Sequence, residues 1–317
     1  MDKKWYEGLL LIADFIPPNP DEMETFNVEE QVKTITGLGF NSQHIEVNDV
    51  TVGEAGIAFF ETKHAVQQRT DLLKSYRMFH EKCGSNDIVY FNVHWLSKNL
   101  VPLHPEWFQT CADGNIIQSG YGSGGYSCIN SPFRDWAFGI IRDIGRYGVK
   151  GIFLDGPVFN INGCYCEGCM KRFEEKYGFR YKPEDMKDIN IYKKVLKFKH
   201  ESIAEFLKDA RQALKSVNPE AIIYMNGLPL GPSTCGRDNR YCMKYQDALL
   251  AEGGFLYGDL RQLPVWKPAA SAKLLETQAE GKPTIVAVAG RHGGWSRYLL
   301  TAAETWIAYA MSVANGA

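Results

Sequence analysis

The sequence predicts an α/β protein in which a parallel sheet closes as a (β/α)8 barrel, the TIM barrel, that lacks its last strand in this chain. Apolar runs of strand length alternate with amphipathic runs of helical length along the 317 residues. No linker rich in Pro, Gly or Ser divides this series, and no internal repeat is visible. Seven β-then-α units in one uninterrupted order favour a closed barrel, with a doubly wound open sheet as the alternative.

Each predicted strand is a short apolar run, and each predicted helix is an amphipathic stretch that follows one. The strands are expected at 8–16, 43–47, 87–95, 150–154, 221–225, 248–255 and 284–289. The helices are expected at 28–38, 63–82, 132–147, 170–177, 192–216, 269–280 and 298–314. Asn27 suits the N-cap of the first helix, and Gly39 and Gly148 follow predicted helix ends. An eighth strand would begin where the chain stops, so we expect 1–317 to be a single barrel domain truncated at its C-terminus.

Composition and charge exclude several classes of protein. The chain has 35 basic and 37 acidic side chains, and this near balance offers no electrostatic footprint for nucleic acid or for an acidic membrane. No run approaches the roughly 18 apolar residues that a membrane span requires, and the first residues lack the cleavage site of a signal peptide. We therefore expect a cytoplasmic protein. The 7 Trp, 16 Tyr and 17 Phe are compatible with a carbohydrate cleft, although core packing explains most of them.

Four of the eight cysteines have the spacing of metal ligands. Cys164, Cys166 and Cys169 form a C-x-C-x2-C run, and Cys128 would complete a tetrahedral shell if the chain folds back. We predict a structural Zn²⁺, because four sulfurs leave no open position for water; buried thiols and disulfides are the alternatives. The cysteines without ligand spacing are expected to be ordinary thiols: Cys83, Cys111, Cys235 and Cys242.

Polar side chains stand at the C-terminal ends of the predicted strands, where a barrel of this kind carries its reacting groups. They are Asp14, Glu46, His94, Trp95, Asp155, Asn226, Glu252, Arg291 and His292. Carboxylates, an amide, imidazoles and a tryptophan are what a sugar site needs, since two carboxylates flank the scissile bond and other polar groups bind hydroxyls. The direction of His44 depends on the strand register, so it receives no role. The remaining histidines lack metal-ligand grouping, and we expect no catalytic metal.

Short motifs between residues 103 and 177 carry a family resemblance. They read His104-Pro-Glu-Trp107, Ala112-Asp-Gly114, Cys128-Ile-Asn-Ser-Pro132-Phe-Arg134 and Cys164-Tyr-Cys166-Glu-Gly-Cys169-Met-Lys-Arg-Phe173. In these motifs the chain resembles the glycoside hydrolase family 42 β-galactosidases and their glycosidase-like relatives. The resemblance implies that the four matching cysteines bind zinc. It also implies a homo-oligomer, since family members assemble as trimers.

The chain departs from that family at the reacting groups. Family 42 enzymes carry Asn-Glu after the fourth strand, and this chain has Asp155-Gly156-Pro157 there. Their nucleophilic Glu on the seventh strand has no counterpart in 284–290. The run Phe153-Leu-Asp155-Gly156 is instead similar to the strand-four motif of the family 29 α-L-fucosidases and of the hypothetical glycosyl hydrolases. In the fucosidases, the matching aspartate is the nucleophile.

These observations predict a glycosidase with Asp155 as nucleophile and Glu252 as general acid/base, with Glu46 in reserve. The other strand-end groups would bind the carbohydrate. A separation of about 5 Å between the two carboxyls would give retention of configuration, and about 6.5–9.5 Å would give inversion. The alternatives are a loop-capping Asp155, a solvated Glu252, a carbohydrate-binding barrel that has lost catalysis, and another sugar-active barrel enzyme such as a deacetylase or lyase.

Overall fold

A computed structural model describes residues 4–15, 23–49, 57–65, 67–118, 124–227, 234–253, 264–288 and 299–317. Its contacts divide the chain into two compact units. The first unit comprises Leu10–Ile223 and Thr234–Arg237. The second comprises Met1–Leu9, Tyr224–Ser233 and Asp238–Ala317.

Seven strands follow one another in the sheet in the same order as in the chain. They are β1 (Ile12–Phe15), β2 (Ser42–Glu46), β3 (Asn86–Asn92), β4 (Gly151–Asp155), β5 (Ile222–Gly227), β6 (Leu249–Ala251) and β7 (Thr284–Val286). The pairings of β1 with β2, β2 with β3, β3 with β4, β5 with β6 and β6 with β7 are parallel. Sequential parallel strands with helices between them are the topology of a TIM barrel that lacks one strand, which confirms the predicted fold class.

Seven helices of ten residues or more lie in the described parts of the chain. They are α1 (Val28–Gly37), α2 (Leu72–Cys83), α3 (Phe133–Arg146), α4 (Glu167–Tyr177), α5 (Ile189–Lys215), α6 (Lys267–Gln278) and α7 (Ala302–Ala314). The predicted helix at 63–82 starts too early. Helix α2 begins only after Asp71, whose side chain accepts a hydrogen bond from the backbone N–H of Lys74 and so caps the helix.

The predicted third strand, 87–95, is too long. β3 ends at Asn92, and Trp95 belongs to a separate two-residue strand, Trp95–Leu96, which pairs antiparallel with Gly125–Tyr126. The carboxamide Oδ1 of Asn92 accepts hydrogen bonds from the backbone N–H groups of His94 at 2.8 Å and Trp95 at 3.3 Å. These two bonds turn the chain out of the sheet.

The register of the first unit sorts the strand side chains onto two faces. Asp14 pairs with His44, Glu46 with Tyr90, and Asn92 with Asp155. Partners in a parallel ladder share a face, and alternate residues of one strand return to it. The predicted polar groups of β1 to β4 therefore lie on one face. The opposite face carries buried apolar residues, among them Ile45, Val89, Phe91, Ile152 and Leu154.

In the second unit, α6 packs against β6, β7 and α7. Its core cluster contains Leu249 and Ala251 of β6 together with Leu275 and Ala279 of the α6 region. Within the described ranges, none of the helices has the length and apolar content required to cross a bilayer.

Candidate functional site

Asp155 ends β4 and is held by a tyrosine of the neighbouring strand. The hydroxyl of Tyr90 donates a hydrogen bond of 2.7 Å to Oδ2 of Asp155, whose side chain is 21% exposed. Burial, followed by the negative charge of Asp155, raises the pKa of Tyr90 well above its ordinary value. The phenol therefore keeps its proton and acts as the donor. Asp155 combines access to solvent with a fixed orientation.

His94 lies beside Asp155 in its neutral form. Its Nδ1 is 4.0 Å from Oδ1 of Asp155, and its ring centroid is 5.3 Å from that of Tyr126. Burial, and then the positive charge of Arg237, lowers the pKa of His94 to about 4. Near neutral pH the imidazole carries no charge, so it meets the carboxylate as a polar neighbour and not as an ion-pair partner. Trp95 follows it in the short strand and is half-buried.

Asp14 and His44 form a second polar pair on the same face. Nδ1 of His44 lies 3.3 Å from Oδ1 of Asp14, whose side chain is 60% exposed. The imidazole stacks on Phe153 with ring centroids 4.5 Å apart. Sequence reasoning left His44 without a role because its direction depended on the register. In the observed register, His44 lies on the same face of the sheet as Asp155.

Three of the predicted carboxylates contribute to the raised pKa of the Tyr90 hydroxyl. The charges of Asp155, Glu46 and Asp14, in that order, add to burial in raising the pKa of Tyr90. Sequence reasoning did not single out Tyr90, because an interior strand tyrosine looks like a core residue. The sequence did carry one signal. Tyr90 lies two residues before Asn92 in the same strand, and alternate residues of a strand share a face.

In the second unit, two predicted residues contact each other. Nδ2 of Asn226, at the end of β5, donates to Oε1 of Glu252 at 2.9 Å, just after β6 ends. Asn226 is 5% exposed, whereas Glu252 is exposed. Arg291 and His292 lie outside the described residues. Asp155 and Glu252 belong to different units, and their pairing stays a prediction.

A buried glutamine that sequence reasoning missed braces the loop after Asp155. Nε2 of Gln109 donates to the backbone oxygens of Ser127 at 2.8 Å and Val158 at 2.7 Å. Its Oε1 accepts from the backbone N–H of Asn160 at 2.9 Å. All three partners are main-chain groups distant in sequence, so no residue pattern announces them.

The four predicted cysteine ligands come together in the first unit. Their sulfur atoms lie within 4.8 Å of one another, and none is in a disulfide. Sγ of Cys128 is 3.3 Å from that of Cys166, 3.5 Å from that of Cys169 and 3.9 Å from that of Cys164. A tetrahedral Zn²⁺ with bonds of about 2.3 Å separates its sulfur ligands by about 3.8 Å.

The surroundings of this cluster also suit a cation. Hydrogen bonds with the other three thiols raise the pKa of Cys128 and lower that of Cys166. Nδ2 of Asn130 donates to Sγ of Cys169 at 3.4 Å. The cysteine set therefore fits a closed structural metal site.

No known family model matches the chain, and no curated protein matches its sequence. The similarity to solved structures is extensive. The PgaB (BpsB) glycoside hydrolase domain from Bordetella bronchiseptica is 14% identical, with a TM-score of 0.77 over 97% of this chain and 91% of that domain. The β-galactosidase from Rahnella sp. R3 is 16% identical, with a TM-score of 0.74 over 98% of this chain and 49% of that one.

A third structure is the α-L-fucosidase isoenzyme 2 from Paenibacillus thiaminolyticus. It is 16% identical, with a TM-score of 0.58 over 96% of this chain and 48% of that one. This chain thus spans about half the length of the β-galactosidase and of the fucosidase. At such identity the likeness concerns the backbone. The resemblance inferred from the motifs is confirmed at that level: this chain has the fold of the TIM-barrel glycoside hydrolases.

Proposed function

We propose that this protein is a glycoside hydrolase that uses two carboxylates and retains anomeric configuration, with Asp155 as nucleophile and Glu252 as general acid/base. The observation that carries the proposal is the setting of Asp155. It is accessible, it ends the fourth parallel strand, and it receives a hydrogen bond from Tyr90 on the face shared with Glu46 and Asp14. The barrel fold of known glycoside hydrolases supports the same class.

The reaction proceeds in two steps. First, a carboxylate oxygen of Asp155 attacks C1 of the sugar while Glu252 gives its proton to the glycosidic oxygen; the C1–O bond breaks and a glycosyl ester forms. Next, Glu252 accepts a proton from water, whose oxygen attacks C1 and releases Asp155. Asn226 orients Glu252 through its amide hydrogen bond. The neutral His94, with Asp14, Glu46, Trp95, Arg291 and His292, binds the carbohydrate.

The proposed Zn²⁺ is structural, with Cys128, Cys164, Cys166 and Cys169 as ligands. It supplies no chemistry at C1. Bound there, it would cross-link the segment before α3 to the loop that follows Asp155 and to the start of α4. A cytoplasmic location and association of identical chains belong to the same proposal.

Hydrolysis of a panel of aryl glycosides tests this function. Wild type is expected to cleave at least one member, and Asp155→Asn to lower turnover by at least about a thousandfold, because the amide cannot form the ester. Asp113→Asn, at an exposed turn, is the matched control and should behave as wild type. Proton NMR of the first product anomer distinguishes retention from inversion.

Unchanged turnover in Asp155→Asn would contradict the assignment. The second candidate is a carbohydrate-binding barrel without catalysis, which the missing family 42 catalytic pair favours. Calorimetric binding of oligosaccharides with no release of reducing ends would identify that case.

A further inference from the structure

The Tyr90 hydroxyl contacts Asp155 from a rigid position. Tyr90 pairs with Phe153 in the register of β3 and β4, two residues before the pair of Asn92 with Asp155. Its ring packs edge-on against Phe153, with centroids 5.8 Å apart and an interplanar angle of 62°. The phenol leans along the strand and reaches Oδ2 of Asp155 at 2.7 Å. Both partners are therefore fixed on adjacent strands of one sheet.

In this contact the phenol of Tyr90 is the donor and the carboxylate of Asp155 is the acceptor. A tyrosine near Asp155, Glu46 and Asp14 would have to add a fourth negative charge in order to ionise, and burial opposes this further. The phenol therefore remains a donor across the working pH range, and the carboxylate is the acceptor. A hydrogen bond to an ionised carboxylate is charge-assisted and favours the charged form. Without this donor, the neighbouring carboxylates would favour protonation of Asp155.

From this geometry we infer that Tyr90 is a positioning residue of the proposed reaction, whose hydroxyl keeps Asp155 ionised and oriented for attack at C1. The inference rests on the proposed function. It also decides which role Asp155 can take: a carboxylate held in its charged form serves as the nucleophile and not as the general acid. Proton donation to the leaving group must then come from another residue.

If Tyr90 only stabilised the fold, it would make the same hydrogen bond to Asp155. The test therefore compares Tyr90 with a second buried tyrosine that has a different hydrogen-bond partner. Tyr76 of α2 is 1% exposed, and its hydroxyl donates to Oε1 of Gln31 at 2.8 Å, within the packing of α1 and α2. Tyr76→Phe and Tyr90→Phe each remove one hydroxyl and keep the ring. Both should lower the free energy of unfolding comparably. Only Tyr90→Phe should alter the titration of Asp155.

Carbon-13 NMR of the aspartate carboxyls reports that titration without any need for turnover, and Asp155→Asn assigns the signal. In Tyr90→Phe, the pH at which Asp155 takes up its proton should rise by about one unit, a tenfold change, while Tyr76→Phe matches wild type. In the hydrolysis assay, the acid limb of the pH profile of Tyr90→Phe should shift to higher pH by the same amount. Its kcat should fall about tenfold to a hundredfold with little change in KM.

An unshifted Asp155 titration in Tyr90→Phe overturns the inference. So does a wild-type kcat and pH profile for Tyr90→Phe beside an inactive Asp155→Asn, and this result leaves the proposed function intact. A wild type that cleaves no glycoside overturns the proposed function, and the inference with it.

Discussion

Asp155 and Glu252, the two carboxylates of the proposed reaction, each accept a hydrogen bond from a neutral side chain. The Tyr90 phenol that contacts Asp155 has its pKa raised by burial and by neighbouring negative charge. The donor to Glu252 is a neutral amide, that of Asn226. The amide holds one carboxylate oxygen of Glu252 in place, which is the part that Asn226 plays in the proposed proton transfer.

Asn226→Ala should therefore impair proton donation selectively. We expect turnover of methyl glycosides to fall about tenfold to a hundredfold, because a poor leaving group needs the acid in place. Dinitrophenyl glycosides, whose leaving group departs without a proton, should lose much less. Comparing kcat for the two substrates measures the effect. An equal loss on both would show that Asn226 does not act through Glu252.

At the scale of elements, distant segments are tied to the loop that follows β4. Gln109 bonds the backbone of residues 127, 158 and 160, and Cys128 lies next to the first of these positions. The four cysteines lie before α3, in this loop and at the start of α4, so a metal ion bound by them would connect these segments. This loop begins directly after Asp155, so the bracing fixes the surroundings of the proposed nucleophile.

The cysteine cluster gives a prediction about metal. Wild type should contain about one zinc ion per chain by elemental analysis, and a strong chelator should lower its melting temperature, because a closed site of four thiolates stabilises the fold. Cys128→Ser should lose the metal and no longer respond to chelator. Cys83→Ser, at the end of α2 and outside the cluster, should keep it. Full zinc content in Cys128→Ser would contradict the assignment.

At the scale of the whole molecule, buried histidines couple stability to pH. His80 is fully buried, with Nδ1 2.8 Å from Oγ of Ser85 and Nε2 3.1 Å from Oε1 of Gln43. Burial, and then the charge of Arg77, lowers the pKa of His80 to about 4. In the unfolded chain that pKa is about 6.5. Between these values the unfolded state binds the extra proton, so stability falls as the pH falls from about 6.5 toward 4.

Replacing the ring with a group that does not titrate should flatten this dependence. Between about pH 7.5 and pH 5, wild type should lose about 2 kcal/mol more of its free energy of unfolding than His80→Gln. Urea unfolding at the two pH values measures the difference. His94, whose pKa is also lowered, contributes the same pH dependence to both proteins, so its effect cancels in the difference. Identical pH dependence in His80→Gln and wild type would exclude His80 as the source.

The sequence by itself determined the fold class, the order of the seven strands and the four cysteines. These depend on local periodicity and spacing, which a chain carries in its residue order. It also pointed to Asp155, because a carboxylate directly after a buried parallel strand has a known place in a barrel. The end of β3 and the start of α2 were misjudged, since the side chains of Asn92 and Asp71 override the apolar pattern there.

Tertiary structure alone decided which side chains act together. The strand register brought His44 to Asp14 and Tyr90 to Asp155, and a shift of one residue would turn each toward the opposite face. The contacts of Gln109 join backbone groups that have no side-chain signature. Register and backbone hydrogen bonds are set by the packing of distant segments, which local sequence patterns do not contain. For that reason the residue order could nominate Asp155 as a candidate nucleophile, and only the folded sheet could identify the tyrosine that donates a hydrogen bond to it.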